Sequence, residues 1–280
     1  MAIQFNNVNF RYHKNDKYVL KNINLEISSH NEFIALIGRI GAGKSTFIQL
    51  LNGLLTPTSG FIKILEQNIY PNTSSKKLLL LKQKIGLVFQ FPEYQLFETI
   101  VLKDVMFGPK NLNYSKFEAE QKAIKALRQV NIKSIFFHCS PFHLSGGQQR
   151  KVAIAGILAM NPQILVLDEP TRGLDIQNKL DIMAILKKQN EIENKTIILV
   201  THDMDLVAQY AHKVLWLDEG KVLFFGLKNA FFNQPNIKLL NLVEPQTFKI
   251  MKLLEQKLGI PFKPYYSIFD LFQYLKQFLK

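Results

Sequence analysis

The sequence has very little cysteine and no long apolar run. Cys139 is the one cysteine in 280 residues, so an intrachain disulfide is excluded, and a reducing cytoplasm fits this composition best. Apolar stretches such as Leu78–Leu81 and Thr196–Val200 fall far short of the ~20 residues that cross a bilayer. The N-terminus has no charged region followed by an apolar block, so we expect no secretory signal. If the protein works at a membrane, we expect it to bind at the membrane surface and not to span the bilayer.

Charge and composition leave several partners open. Hydrophobic residues make up 47% of the chain, which supplies a sizeable core and argues against disorder. The formal net charge is +13. This charge is either a solvated basic surface or a surface for nucleic acid, anionic lipid or nucleotide phosphates.

Short apolar runs alternate with helical patterns over most of the chain. Phe33–Gly38 and Ile164–Glu169 are typical of buried strands, and Ile176–Asn190 has helical apolar spacing. This alternation predicts an α/β fold with a mainly parallel core sheet covered by helices. The N-terminal segments, by contrast, look like an antiparallel β subdomain.

Two further regions look helical. Lys116–Val130 has an amphipathic pattern and indicates a helical lobe at about residues 91–155. The character of the sequence changes near Gly226, where a loop-like stretch precedes two amphipathic segments, Phe248–Leu258 and Ser267–Leu279. We therefore predict a nucleotide-binding domain over residues 1–226 and a small helical C-terminal domain over residues 227–280.

The stretch GRIGAGKS fits the phosphate-loop motif G-x-x-x-x-G-K-[ST] and lies between a predicted strand and a predicted helix. Its glycines allow backbone N–H groups to point inward, and the helix N-terminus attracts an anion. Lys44 can reach the terminal phosphates, and the Ser45 hydroxyl can bind Mg²⁺. The predicted nucleotide-binding residues are Gly38, Arg39, Ile40, Gly41, Ala42, Gly43, Lys44, Ser45 and Thr46.

The run ILVLDE places two acids at the exit of a buried strand. We assign Asp168 to the Mg²⁺ shell and Glu169 to a water positioned for in-line attack on the terminal phosphate. The alternative is an acid pair that caps a helix or meets solvent, and the preceding phosphate loop counts against it.

The stretch LSGGQQRKVAIAGILAM narrows the class further. Ser145, Gly146 and Gly147 stand at the start of a predicted helix and form a second anion cradle. One nucleotide has no use for two such cradles from one chain. Two chains facing head to tail can each close the site of the other.

LSGGQ resembles the signature of the ATP-binding-cassette (ABC) ATPases, which sandwich two ATP molecules at a dimer interface. The resemblance implies that Asp175 in the GLD stretch is an interface residue and that His202 in LVTHD is the switch histidine at the terminal phosphate. It also implies that Tyr12 stacks on adenine, although His13 and Tyr18 lie nearby. The signature and interface-loop residues expected at the partner's ATP are Leu144, Ser145, Gly146, Gly147, Gln148 and Asp175.

The segment FQFPEYQLFETIVLKDV begins where a predicted strand ends. In the ABC ATPases a glutamine at this place, here Gln90, binds Mg²⁺ or the attacking water, and the following segment docks the coupling helix of a membrane subunit. The alternative is that the aromatic residues are lobe core and the acids are solvated. The expected docking residues are Phe91, Pro92, Glu93, Tyr94, Leu96, Phe97 and Glu98.

The residues of this segment and of the signature resemble those of the second ATPase type of energy-coupling-factor (ECF) transporters. The resemblance covers nearly the whole chain. That resemblance implies a complex with a related ATPase, a transmembrane coupling subunit and a substrate-binding membrane subunit, at the cytoplasmic face of the membrane. Such complexes import vitamins or transition-metal ions such as cobalt and nickel. Glu93 and Glu98 would meet arginines of the coupling helices.

Some residues depart from that pattern. Arg39, Ile40 and Ala42 in the phosphate loop differ from the family's usual residues, and Arg172 replaces a small residue near the expected dimer interface. Ile40 is β-branched in a loop where unusual backbone angles are expected, so we expect local strain there.

The residues favour an ECF ATPase that uses ATP and Mg²⁺ as cofactors. Three other functions are alternatives. An ABC ATPase acting on nucleic acid or the ribosome is disfavoured, because the chain has one cassette and no heptad run between Lys44 and Ser145. A nucleotide-binding module without turnover is disfavoured by the presence of Gln90, Glu169 and His202. The remaining alternative is the ATPase subunit of a conventional ABC importer.

Overall fold

The computed structural model describes residues 3–28, 31–234 and 243–278. The strands in these residues are β1 (Ile3–Phe10), β2 (Leu20–Ile27), β3 (Phe33–Ile37), β4 (Ser59–Ile64), β5 (Gln67–Ile69), β6 (Ile85–Val88), β7 (Ile164–Asp168), β8 (Thr196–Val200), β9 (Lys213–Asp218) and β10 (Lys221–Leu227). The α-helices are α1 (Lys44–Leu51), α2 (Ser75–Lys84), α3 (Val101–Asn111), α4 (Lys116–Gln129), α5 (Gly146–Leu158), α6 (Ile176–Glu191), α7 (Met204–Tyr210), α8 (Lys228–Phe232), α9 (Gln246–Leu258) and α10 (Ile268–Leu275).

The N-terminal strands form a four-stranded antiparallel sheet in the order β2-β1-β4-β5. Apolar residues of β1 such as Ile3, Phe5 and Val8 are buried, and a register shift between Phe5 and Val8 interrupts the period-two alternation of a half-buried strand. The ring of Phe5 stacks on Phe47 of α1 at 4.7 Å, so this sheet packs directly on the helix that follows the phosphate loop. The predicted antiparallel β subdomain is confirmed.

The core sheet has six strands in the order β10-β9-β3-β8-β7-β6. All neighbouring pairs are parallel except β10 with β9. Every residue of β3, β6 and β8 is buried, as expected for strands covered on both faces. Within this sheet, Ile37 of β3 lies in register with Trp216 of β9. The predicted α/β fold with a mainly parallel core is confirmed.

A helical lobe is formed by α3, α4 and α5. Helix α4 starts at a capping box in which Ser115 and Glu118 satisfy each other's backbone N–H groups. Its buried face includes Ala123 and Leu127, which share one core with Val105 of α3 and Val152 of α5. Helices α3 and α4 lie within the predicted lobe, whereas α5 ends at Leu158, slightly beyond it.

The C-terminal region contains the two predicted helices, here α9 and α10. They pack on each other through a core that includes Met251, Leu271 and Tyr274. The loop-like stretch predicted around Pro235 falls partly on residues 235–242, which lie outside the described residues. The division of the chain at residue 226 stays a prediction. Among the described helices, none is both long and apolar enough to span a membrane.

Candidate active site

The loops that follow β3, β6, β7 and β8 meet at the carboxyl edge of the core sheet, where ligands bind in open α/β sheets. They enclose a cleft of about 290 Å³. Residues of the phosphate loop, of the acid pair after β7 and of the predicted Gln90 and His202 positions line this cleft, namely Ile40, Gly41, Gly43, Lys44, Ser45, Thr46, Gln90, Asp168, Glu169 and His202. The structure thus brings together side chains that lie far apart in the sequence.

The phosphate loop depends on two glycines for its shape. A Cβ at Gly38 would lie 2.0 Å from the Leu217 carbonyl oxygen, so only glycine fits beside β9. Gly43 has φ 98° and serves as the N-cap of α1 without any side-chain cap. The first N–H groups of α1 therefore remain available to an anion.

Lys44 folds back over this loop. Its Nζ donates to the carbonyl oxygens of Gly38 at 2.8 Å and Arg39 at 2.9 Å. Burial lowers the pKa of Lys44, while the nearby carboxylates of Glu169 and Asp168 raise it. The ammonium group thus lies where it can exchange carbonyl partners for phosphate oxygens.

Ile40 and Tyr12 lie close to the phosphate loop and its helix. Ile40 is 94% exposed and does not adopt a left-handed backbone conformation, so the predicted strain at Ile40 is wrong. The positive φ angles of the loop fall on its glycines instead. Tyr12 does not line the cleft, but its hydroxyl is 2.9 Å from the Thr46 hydroxyl, which places the half-exposed ring next to the first turn of α1. Adenine stacking on Tyr12 stays a prediction.

Asp168, the last residue of β7, faces Ser45. The Ser45 hydroxyl donates to Asp168 Oδ2 at 3.4 Å. Burial raises the pKa of Asp168, whereas this hydrogen bond and the charge of Lys44 lower it. A hydroxyl and a carboxylate fit Mg²⁺, which takes hard oxygen ligands and fills its other positions with water and phosphate oxygens.

Glu169 follows in a left-handed conformation with φ 49°, and its N–H donates to the Val200 carbonyl oxygen at 3.0 Å. Its Oε1 is buried and forms no hydrogen bond with any residue that the structure describes; His202 Nε2 lies 3.5 Å away. Burial and the neighbouring Asp168 raise the pKa of Glu169. A buried carboxylate oxygen with spare acceptor capacity suits a group that orients a water molecule.

His202 lies in the loop between β8 and α7. Burial, followed by the charges of Lys44 and Arg172, lowers the pKa of His202. The imidazole is therefore neutral near pH 7, so one ring nitrogen can donate a hydrogen bond while the other accepts one. That is the capacity needed beside a terminal phosphate.

The signature turn lies outside this cleft. Ser145 caps α5: its Oγ accepts the Gln148 N–H at 3.4 Å, and Gln148 Oε1 accepts the Ser145 N–H at 3.0 Å. A Cβ on Gly147 would lie 2.2 Å from Asn178 Oδ1. Asn178 is in turn held by both carboxylate oxygens of Asp175, at 2.7 and 2.8 Å. The predicted interface residues thus form one connected surface of their own.

The predicted docking segment divides into two parts. Leu96 and Phe97 line an apolar groove of about 420 Å³ between α2 on one side and the lobe helices α3 and α5 on the other. The Phe97 ring packs edge-on against Phe107 at 4.9 Å. Other predicted docking residues do not line this groove, namely Phe91, Pro92, Glu93, Tyr94 and Glu98.

The role predicted for Glu93 is wrong in this structure. Its carboxylate is not free for an arginine of another chain, because it forms a two-point ion pair with Arg150, at 2.5 and 2.9 Å. The acid on the groove is Asp104, whose Oδ2 accepts the N–H groups of Phe97 and Glu98 at 2.9 Å. Sequence reasoning missed both Arg150 and Asp104. The signal for Arg150 was an arginine on the otherwise apolar side of the helix that follows LSGGQ.

Fold and site together define an ATPase of the ATP-binding-cassette class. The family model described as ABC transporter matches residues 20–172, and a model described as an AAA domain matches residues 138–208. The chain is 46% identical to the energy-coupling factor transporter ATP-binding protein EcfA2 of Streptococcus pyogenes serotype M5 (strain Manfredo), over 93% of this chain and 94% of that one. EcfA2 of serotype M1 gives the same values.

Solved structures agree with this result. CbiO1 from Clostridium perfringens, described as part of the ABC transporter complex cbiONQ, superposes with a TM-score of 0.77 at 33% identity, over 92% of this chain and 96% of that one. The dimeric cassette MJ0796 bound to ADP and Pi has a TM-score of 0.69 at 33% identity, over 80% and 98%. The chain therefore belongs to the ABC transporter family, among the ATP-binding proteins of energy-coupling factor transporters.

Proposed function

We propose that this chain is one of two ATPases in an importer of the energy-coupling factor type and that it hydrolyses ATP with Mg²⁺ at an interface with its partner ATPase. The observation that carries the proposal is the separation of two half-sites. The cleft holds Lys44, Asp168 and Glu169, whereas the signature turn at Ser145 does not line it. A second cassette in head-to-tail orientation would complete both sites.

The residues of the cleft account for the chemistry. Lys44 and the N-terminus of α1 bind the phosphates, and Ser45 and Asp168, with Gln90 beside them, would hold Mg²⁺. The metal would neutralise charge on the transferred phosphoryl group. The Glu169 carboxylate, which lines the cleft, orients the attacking water, and neutral His202, with Nε2 3.5 Å from Glu169 Oε1, contacts the terminal phosphate.

The apolar groove supports membrane coupling. Its lining is largely aliphatic and aromatic, with Leu79 of α2, Phe107 of α3 and Ile157 of α5 around Phe97. A helix laid in such a groove contacts the core and the lobe at the same time. We propose that a transmembrane coupling subunit supplies this helix and that a separate membrane subunit selects a vitamin or a transition-metal ion. This arrangement locates the chain at the cytoplasmic face of the membrane, without a role for nucleic acid.

Affinity purification from detergent-solubilised membranes tests this function. We expect a second related ATPase and a polytopic membrane protein to co-purify, and the complex to hydrolyse ATP. Phe107→Asp places a charge in the groove and should release the membrane protein, whereas Phe117→Asp, on an exposed side chain of α4, should not. Recovery of the chain alone, or with ribosomes, would overturn the proposal.

A further inference from the structure

The guanidinium group of Arg150 connects three segments of the protein. Its Nε and Nη2 donate to Glu93 at 2.9 and 2.5 Å, and its Nη1 donates to the carbonyl oxygens of Pro170 at 3.1 Å and Arg172 at 2.6 Å. Arg150 is 2% exposed, and the Glu93 side chain is 13% exposed. The charge is thus almost fully removed from water and satisfied by four bonds.

Each of the three segments belongs to a different part of the ATPase. Glu93 lies in the short 3-10 helix Pro92–Gln95, directly before the groove residues Leu96 and Phe97. The carbonyl groups of Pro170 and Arg172 belong to the turn immediately after Glu169. Arg150 itself lies in the second turn of α5, the helix that starts at the signature turn.

This contact needs an arginine. A planar guanidinium can satisfy a carboxylate through two parallel bonds while its remaining donors reach carbonyl oxygens, and a lysine cannot. A buried ion pair is seldom the most stable solution, because apolar residues of similar volume often stabilise a core as well or better. Stability alone therefore gives little reason for placing this pair here.

We propose that Arg150 is a positioning residue that links the docking segment to the catalytic turn at Glu169 and to the signature helix. This inference rests on the proposed function, since it explains how a helix bound in the groove acts on hydrolysis. A shift of the 3-10 helix moves Glu93, and the rigid guanidinium transmits that shift to the carbonyl groups after Glu169. Arg150 does not contact nucleotide and takes no part in the chemical step.

The test measures ATP hydrolysis by the two purified ATPases alone and by their complex with the transmembrane subunit. Glu93→Gln keeps the shape of the side chain but removes its charge, and Arg150→Lys keeps the charge but removes the fork. We expect both variants to bind ATP and to retain KM within about twofold, and to lose stimulation of kcat by the membrane subunit by about tenfold or more.

Lys151→Met is the matched control, because Lys151 is the next residue on α5 and pairs with Asp181 of α6 rather than with the docking segment. It should keep stimulation close to wild type. If Arg150→Lys does not fold, Glu93→Gln alone decides the question. Normal stimulation in Glu93→Gln, or an equal loss in Lys151→Met, would overturn the inference. A wild-type protein without any stimulation would instead overturn the proposed function, and the inference with it.

Discussion

The protein has two glycine-containing turns that open a helix, and they are built in opposite ways. The phosphate loop ends at Gly43, which offers no side-chain cap, so α1 keeps its first N–H groups for a ligand. The signature turn is closed on itself, because Ser145 and Gln148 bond each other reciprocally. The side chains with proposed catalytic roles surround the first turn, whereas the second stands at the exposed start of α5.

The difference teaches that an anion site can be prepared for ligand in two ways. In the phosphate loop the first N–H groups of α1 have no side-chain cap, and the Lys44 ammonium group donates to the carbonyl oxygens of Gly38 and Arg39, which phosphate oxygens can replace. In the signature turn the cap fixes the shape of the surface that, in the proposed function, meets the partner ATPase. Variants in the two turns should therefore separate ATP binding from the stability of the interface surface.

The largest effect is expected from Glu169→Gln, which removes the water-orienting charge of the cleft. Hydrolysis should fall by about 10²–10³-fold, as for other preorganised electrostatic groups. ATP affinity should remain, because the phosphate loop is untouched. Steady-state hydrolysis and equilibrium binding of labelled ATP measure the two quantities. A loss below tenfold would show that another group orients the water.

Lys44→Ala breaks the phosphate loop itself. Loss of a charge-assisted contact to phosphate should weaken ATP binding by about 10–100-fold. Lys125→Ala, on an exposed position of α4, provides the control. The signature turn should stay intact, so the thermal midpoint should change little. Equilibrium titration with ATP gives the answer, and unchanged affinity would exclude the assigned role of Lys44.

Neighbouring glycines test the signature turn. Gly147→Ala would place a Cβ 2.2 Å from Asn178 Oδ1, whereas a Cβ at Gly146 meets no atom within 4 Å. We expect Gly147→Ala to lower the free energy of unfolding by about 1–3 kcal/mol. Gly146→Ala should change it by less than about 0.5 kcal/mol. Denaturant unfolding compares the pair. Equal losses in both variants would contradict the structure.

The smallest effect concerns the pH dependence of the cleft. Burial raises the pKa of Glu169, and Arg172 partly opposes this. Glu169 must be ionised to orient water, so activity is lost as pH falls through its raised pKa. Arg172→Met removes a positive charge, and the acidic limb of kcat should move up by on the order of half a pH unit.

Arg128→Met, on an exposed position of α4, is the control for that pH profile and should leave the limb in place. The charge of Arg172 also lowers the pKa of His202, so removing it raises that pKa and moves the limb in the same direction. A downward shift in Arg172→Met would mean that its charge acts mainly elsewhere.

Local patterns in the sequence predicted much of the fold. The buried runs became β3, β6, β7 and β8, and the amphipathic segments became α4, α6, α9 and α10. The hairpin of β9 and β10 was not predicted. Its two-residue turn, Glu219–Gly220, has positive φ at both residues, which is typical of tight β-hairpins. Its mixed burial gives no clear period-two alternation in β10.

The order of the motifs along the chain predicted which residues meet in the cleft. It did not predict which charged side chains form ion pairs elsewhere. The groups of the cleft converge because parallel strands end at one edge, which follows from the fold class. The partner of Glu93 could not be found in this way, because Arg150 lies 57 residues away and only the packing of the lobe brings them together. The prediction of strain at Ile40 was wrong because the glycines of the loop, and not Ile40, adopt the positive φ angles.

The register of β3 with β9 has one practical consequence. Trp216 is the single tryptophan of the chain, it is 8% exposed, and it pairs with Ile37, the residue immediately before the phosphate loop. Its indole N–H makes no hydrogen bond within the described part of the chain. Excitation of the indole therefore samples one buried, apolar position beside the residue that precedes the phosphate loop. The molecule carries its own optical reporter of the strand that leads into the phosphate loop.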